Sequence, residues 1–595
     1  MGIKKCLFSS IKVNHITDQS MLKWISRYIC CRKLWKMGLY KQFFRFGRRR
    51  SNYMASTAFT PLPMLVSDQG KIRTNRLIIV VVGLFALAIG ILLSSVPWLD
   101  YLILKHLRLS NGSLSYYYWQ KPGVVRLTKV YIFNVTNPEN FLNLGEKPKL
   151  NEIGPFVYRE NMEKVNIKFH DNGTVSYQHK KILQFVPELS VNKNEKLTVP
   201  NIPMLTLASL SNSLGFIIQK AISFALTMGN YQPFVEVTAD ELVFGYEDPL
   251  VTLAHNFYPK TKRPMGKMGL LIKRNGTLDE VHTINTGYTG MEKFGLLDKL
   301  NGIDRLPYWE DPPCTDIVAS EGSFFPPRDV TQSDIVALYD KDLCRILPFQ
   351  YRGPTSKQGI SVDLYTPPDY VFETASKESR NRCYCPGAEY CPPKGLQNIS
   401  PCQYDAPVYL SFPHFYNADA SLLKSIDGLE PIKEKHENYV KIQPKLGVPL
   451  EIKLRVQLNL RVDQAENVRP VSTFPSMMFP IMWLEEGIDE VTPAIRRWVY
   501  LATTFSDLAC PIFTYGSIVT GSCILIGVFI NTYKSLVFTK QSIEIGMKTL
   551  RRNGAYLSNH SLFSQQPHRL SLIVRNSYVL LDDGDGATPD REKAC

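Results

Sequence analysis

Hydrophobic positions fall into three patterns along this 595-residue chain. The first is the uninterrupted run. Residues 77–96 (LIIVVVGLFALAIGILLSSV) and 512–530 (IFTYGSIVTGSCILIGVFI) contain no charged side chain. Each is long enough to cross a hydrocarbon layer about 30 Å thick as a helix, a form that satisfies its own backbone polar groups in lipid. The residues between the runs then lie on one side of a membrane and both tails on the other. The second pattern is strict alternation. Residues 450–462 (LEIKLRVQLNLRV) are apolar at every second position and polar between, which predicts a strand that buries one face and wets the other. Weaker strand patterns occupy 124–135, 165–169, 175–185 and 269–272, with Asn-Gly turns among them. The third pattern is residues 203–230 (PMLTLASLSNSLGFIIQKAISFALTMGN), apolar and helix-compatible with Lys220 as the one charge. Ser, Asn and Gly interrupt it too often for a third span. On a helix Phe216, Ile217, Lys220, Ala221 and Phe224 fall near one another. Two readings stand: a buried core helix, or an exposed apolar patch that docks ligands or partners.

Charge orients this arrangement. The formal net charge is +15. Residues 1–76 hold 16 Lys/Arg against Asp18 and Asp68, and residues 531–595 hold 9 against 6 acids. The middle is left with 44 basic and 46 acidic residues. Basic tails stay cytoplasmic, and Lys71, Arg73 and Arg76 abut the first run. The basic excess therefore belongs to membrane-flanking segments and does not indicate nucleic-acid binding. The first run is too long and too far from the start for a cleaved signal peptide, so it reads as an uncleaved signal anchor. Glycosylation sequons at Asn111, Asn134, Asn172, Asn275 and Asn398 place the middle region in an extracellular or lumenal compartment.

Six of the twelve cysteines lie within residues 314–402: Cys314, Cys344, Cys383, Cys385, Cys391 and Cys402. An even number in an oxidising compartment predicts disulfides, with the pairing left open. Their spacing does not suit a zinc site, and no metal is expected. Catalytic signatures are missing: there is no Gly-x-Ser-x-Gly, His-Glu-x-x-His or phosphate-loop motif. His106, His170, His179, His255, His282, His414 and His436 are scattered, without metal-ligand spacing. The chain reads as a non-enzyme that uses no cofactor.

Several stretches together resemble the class B scavenger receptor family, of the fatty acid translocase, lysosomal integral membrane protein, croquemort and sensory neuron membrane protein type. They include NVTNPENF (134–141), EIGPFVYR (152–159), FGYEDP (244–249), YWE (308–310), SFFPP (323–327), LSFPHF (410–415), IDGL (426–429), HENY (436–439) and FPIMWL (479–484). The resemblance implies an α+β fold: an antiparallel β-barrel-like ectodomain with short helices, a helical apex and an internal apolar tunnel, plus two transmembrane helices. It implies the pairs Cys314–Cys383, Cys344–Cys402 and Cys385–Cys391. It matches residues 203–230 to the apex, with Phe216, Lys220 and Phe224 as ligand-binding candidates. The implied organisation is a cytoplasmic tail (1–76), a first span (77–98), an ectodomain (99–510), a second span (511–531) and a second cytoplasmic tail (532–595).

The function so implied is a non-catalytic receptor that binds lipids, fatty acids, sterols, carotenoids or lipoproteins and moves hydrophobic cargo toward the bilayer, with room for a homo-oligomer. A lysosomal or endosomal receptor for a hydrolase is the alternative. A two-span channel shares the topology but has more cysteines, differently placed. Plasma membrane is the expected location, with endosome or lysosome second. In the amino-terminal tail, Cys30 and Cys31 sit among Arg, Lys, Trp and Phe, a composition suited to a membrane surface, and with Cys6 they are acylation candidates.

Overall fold

The computed structural model describes residues 74–257, 266–385, 391–403, 406–537 and 544–551. Cys6, Cys30 and Cys31 lie outside the described residues. The described residues divide into two compact units, one within 96–512 and the other made of 74–95 and the described residues from 513 onward.

In the larger unit the alternating segments form strands, except residues 269–272, which are irregular and lead into a 3-10 turn at Ile272–Arg274. In chain order they are β1 (Val124–Val135), β2 (Leu150–Phe169), β3 (Thr174–Phe185), β4 (Lys196–Pro200), β5 (Phe234–Thr238), β6 (Gly276–Asn285), β7 (Leu297–Leu300) and β8 (Ile335–Asp340). Then follow β9 (Arg345–Lys357), β10 (Ile360–Thr366), β11 (Gln397–Asn398), β12 (Val408–Ser411), β13 (Tyr439–Gln443), β14 (Val448–Val462) and β15 (Met477–Val491). All but β4 and β5 join one antiparallel sheet, ordered β7-β6-β3-β2-β1-β15-β14-β13-β10-β9-β8, with β12 and β11 branching from β14. The first and last strands pair, Val124 opposite Val491, so chain entry and exit meet at one end.

The barrel-like sheet of the expectation is an open one. Its edge strands β7 and β8 do not pair with each other. They are bridged through residues 319–320 instead: Leu297 N–H donates to Ala319 O at 2.8 Å, and Ser320 N–H donates to Ala337 O at 2.9 Å. Strand β7 is only four residues long, too short to carry a full ladder across the gap. Gly487 in β15 marks a close approach, because a Cβ there would collide with the carbonyl of Ile452.

Strand β14 departs from its sequence pattern. The apolar set is inside, as alternation predicts, but the polar set is not wet. Glu451, Lys453, Arg455, Gln457 and Asn459 are all buried. Glu485 of β15 accepts from Lys129 at 3.0 Å, Lys453 at 2.9 Å and Arg455 at 2.8 Å. Burial pushes this carboxyl up, but Lys453, Arg455 and Lys129 together hold it down at about 2. The segment after β12 lies across the same face: His414 N–H donates to Gln457 Oε1 at 2.6 Å, and Asn459 Nδ2 donates to Ser411 Oγ at 3.0 Å. Alternation reports which face is apolar; it cannot report that the other face is roofed.

Disulfides Cys314–Cys383, Cys344–Cys402 and Cys385–Cys391 tie down the loop-rich region between β7 and β12. In the smaller unit, helix α1 (Thr74–Ser95) is long and apolar enough to cross a membrane, and so is the helical run Pro493–Ser535 that ends there. They meet through glycines: Gly83 faces Ile524 and Leu525, Gly90 faces Ile518, and Gly521 faces the backbone of Leu87. Small residues admit this backbone approach in lipid. Phe85, Leu92, Phe513 and Val519 project outward and exposed.

Candidate functional site

Two places in the larger unit carry functional geometry. The first is the helical apex. Helix α2 (Ile202–Ser211) starts where the Asn201 side chain accepts from Met204 N–H at 3.2 Å. Helix α3 (Phe216–Met228) follows, and α4 (Pro249–Phe257) packs against α2. The buried positions of α3 are Gln219, Ser223 and Leu226, spaced i, i+4 and i+7. Two of the three are polar, and both are bonded: Asn467 Nδ2 donates to Gln219 Oε1 at 2.7 Å, and Arg469 N–H donates to Ser223 Oγ at 2.9 Å. Leu226 joins the core beside Met204, Leu205 and Phe474.

Helix α3 is therefore docked by its polar side. Its apolar side faces outward, with Phe216 61%, Ile217 83%, Ile218 51%, Phe224 68% and Met228 72% exposed. The two readings divide the segment: α2 is a buried core helix, with Met204, Leu205 and Ala208 in the core, and α3 carries the exposed apolar patch. The candidates Phe216 and Lys220 come together, the Lys220 Nζ lying 5.3 Å from the Phe216 ring centroid and donating to Asn467 O at 3.3 Å. Phe224 stands one further turn along the same helix.

The second place is the interior of the sheet, which lines a partly open cavity of about 130 Å³. Its apolar wall includes Leu278, Leu338, Ile452, Leu454, Val456 and Leu484. Most of the rest is ionisable, a departure from the expected apolar tunnel. Glu160, behind this wall, bridges Arg126 (3.3 Å) and Lys181 (2.8 Å), and Arg274 pairs with Asp342 and Glu486. Asp340, by burial and the nearby Asp342, is pushed up to about 7. His179 and His282 meet edge to face with centroids 5.1 Å apart. Burial holds the His179 imidazole down at about 4, against the pull of Glu321.

A smaller cavity of about 70 Å³ shares Arg126, Met162 and Gly322 as walls with the first. It is mainly apolar, lined by Trp119, Val124, Phe324, Ile488, Val491 and Trp498 among others. Beside this shared wall the buried Lys164 donates to Ser323 Oγ at 2.7 Å and Trp119 O at 3.1 Å, with Glu321 3.9 Å away. Burial lowers this ammonium to about 8.

Alternation in 450–462 marks Ile452, Leu454 and Val456 of the apolar wall, but no sequence pattern singles out the ionisable interior residues as a site. The available signal is period two in ionisable residues, His179 and Lys181 on β3 and Glu280 and His282 on β6, which puts each pair on one face. Among the described residues no group of three or more His, Cys, Asp or Glu could hold a metal ion. Of the sequon asparagines, Asn111, Asn172 and Asn275 are exposed; Asn134 and Asn398 are half-buried in β1 and β11.

Residues 79–532 match the model of the CD36 family. The chain belongs to the CD36 family. It is 33% identical over 410 residues to scavenger receptor class B member 1 of Rattus norvegicus, covering 68% of this chain and 79% of the relative. It is also 33% identical over 392 residues to lysosome membrane protein 2 of Homo sapiens, covering 65% of this chain and 80% of the relative. The CD36-family match contains the whole described interior and most of both apolar helices, leaving out residues 74–78 and 533–535.

Proposed function

We propose that this CD36-family chain is a two-span membrane receptor that captures lipid or lipoprotein ligands at its apex and passes hydrophobic cargo through the sheet interior toward the bilayer. The carrying observation is the inverted docking of α3, with polar side inward and Phe216, Ile217 and Phe224 outward. A folded helix that spends its polar residues on docking and exposes its largest apolar ones has a surface suited to an apolar partner. Support for passage comes from two cavities in series with a common wall. The benefit of such a route is large, because each methylene drawn into water costs about 0.8 kcal/mol. Fatty acids, sterols and carotenoids are all cargo of this kind. The basic tails are placed in the cytoplasm, the sheet domain outside, and glycans on the exposed Asn111, Asn172 and Asn275. The fold acts as a receptor, with no catalytic step in this account.

The test is the triple variant F216S/I217S/F224S of the full-length protein in cells. Uptake of fluorescent lipid from lipoprotein particles is measured against surface protein determined by biotinylation. Uptake per surface molecule should fall severalfold; unchanged uptake removes the apex from the account. A second reading draws on the same patch, since a protein with an apolar docking face, such as a lysosomal hydrolase, fits it equally. The likeness to lysosome membrane protein 2 favours keeping it. Colocalisation with lysosomes and little biotinylated protein at the surface would select that reading.

A further inference from the structure

Two histidines hold the segment that roofs β14, and both do so as acceptors. His414 and His436 are buried, and their rings stack with centroids 4.5 Å apart. His414 Nδ1 accepts from Glu430 N–H at 3.0 Å, and His436 Nδ1 accepts from Ile432 N–H at 2.9 Å. Each neutral ring therefore carries its one proton on Nε2. His414 uses that proton to donate to Glu152 Oε2 at 2.5 Å, an oxygen that also accepts from Trp483 Nε1 at 2.6 Å. The backbone here is strained. His414 and Phe415 have φ of 52° and 54°, a left-handed region that such residues hold only where their surroundings over-determine it.

Acid acts on this arrangement in one direction. A second proton on either ring goes to Nδ1, where a backbone N–H already points, so that bond must break. Two charged rings stacked at this distance would also repel. Of the elements packed around the pair, β2 presents Glu152, β14 presents Arg455, and the segment itself presents Lys435. Strand β15 sets Trp483 edge to face with His436, and its Glu485 is occupied by Lys129, Lys453 and Arg455. Strand β1 adds Tyr131, stacked on Trp483, and Phe133, edge to face with His414. Burial and the neighbouring His414, with Arg455 and Lys435, outweigh Glu152 and hold the His436 imidazole down at about 4.

We infer that residues 428–438 are an acid-released strap, which protonation of His414 or His436 frees from the sheet in an acidified compartment. This does not depend on the cargo route. The ends of the strap are fixed: Asp427 bonds to Pro148 and Leu150, and β13 pairs with β14 from Tyr439. Between them, Arg455 donates through Nη1 to Glu437 O and through its N–H to Asn438 Oδ1, so release uncovers Arg455. An ordinary imidazole titrates near 6.5, so the released strap takes up the proton that the closed one refuses. The closed form is fully favoured above pH 6.5 and loses its advantage as pH falls toward 4.

The experiment uses the full-length protein in lipid nanodiscs and reads hydrogen exchange by mass spectrometry at pH 7.4 and pH 5.0, corrected for the intrinsic change of rate with pH. Protection of amides 428–438 should fall about thirtyfold at the lower pH, the linkage of one imidazole with those two values, while β14 keeps its protection. H436N keeps an acceptor near the position of Nδ1 and takes no proton, so it should cut the fall to below about threefold. If H436N does not fold, H414N, which likewise spares the bond to Glu430, should reduce the fall in the same direction. Unchanged protection of 428–438 in the wild type overturns the strap. So does an equal fall in β14, which marks general softening, or a fall in the folded variant as large as that of the wild type.

Discussion

Glu485 shows how much of this fold hangs on single ionised groups. It accepts from three cations, and its side chain is 9% exposed. Replacing it by Gln leaves Lys453 and Arg455 short of counter-charge in a buried layer. The expected cost is about 3–5 kcal/mol, read from denaturant midpoints; a loss under about 1 kcal/mol would mean the layer is more hydrated than its burial implies. His179 gives a pH prediction. Its folded value is held at about 4, below the ordinary 6.5, so the unfolded state binds the extra proton between those values. Its contribution to stability is intact above pH 6.5 and is lost as pH falls toward 4. H179Q should therefore lose less stability than wild type between pH 7 and 5, by about 2 kcal/mol. Asp340, raised to about 7, acts in the opposite sense in both proteins and cancels in the difference. Parallel pH profiles would contradict this. At this scale the sequence reveals little: His179 and His282 are 103 positions apart, and only the β3–β6 pairing makes them neighbours.

Among the elements, α3 and β14 mark the limits of pattern reading. In α3 the sequence shows an apolar helix with one charge, and two placements fit that equally. What decides between them is the partner segment 464–471, whose backbone and Asn467 take up the Gln219, Ser223 and Lys220 side chains. The resulting prediction compares two apolar residues of the same helix. L226A, at 1% exposure, should cost about 2–4 kcal/mol. F224S, on the exposed side, should stay within about 0.5 kcal/mol. Equal losses would mean that α3 is covered on both sides. For β14, period two located the apolar face correctly, and Ile452, Leu454 and Val456 line the cavity. It failed on the polar face because burial there comes from a distant segment, residues 411–438, and from paired charges, neither of which leaves a periodic trace.

Over the whole molecule the sequence is most informative. Two charge-free runs, the basic tails and the ordered family stretches point to a two-span receptor with an antiparallel sheet, and the family match reaches from one apolar helix into the other. The open sheet edge was not legible, because closure depends on the length of β7 and on a bridge at Ser320. The disulfide region makes a further prediction at this scale. Cys344–Cys402 closes a loop of sequence separation 58, and replacing both cysteines by Ser should cost about 4 kcal/mol on the chain-entropy model. Thermal unfolding of the variant at unchanged Tm would contradict it. The central claim is that cargo travels through the sheet, past the wall common to both cavities. Its most direct test is M162W, which fills that wall, in full-length protein reconstituted into vesicles, measuring transfer of a fluorescent lipid from donor particles into the bilayer. The account predicts that particles still bind while transfer is largely lost; wild-type transfer through a folded M162W protein would contradict it.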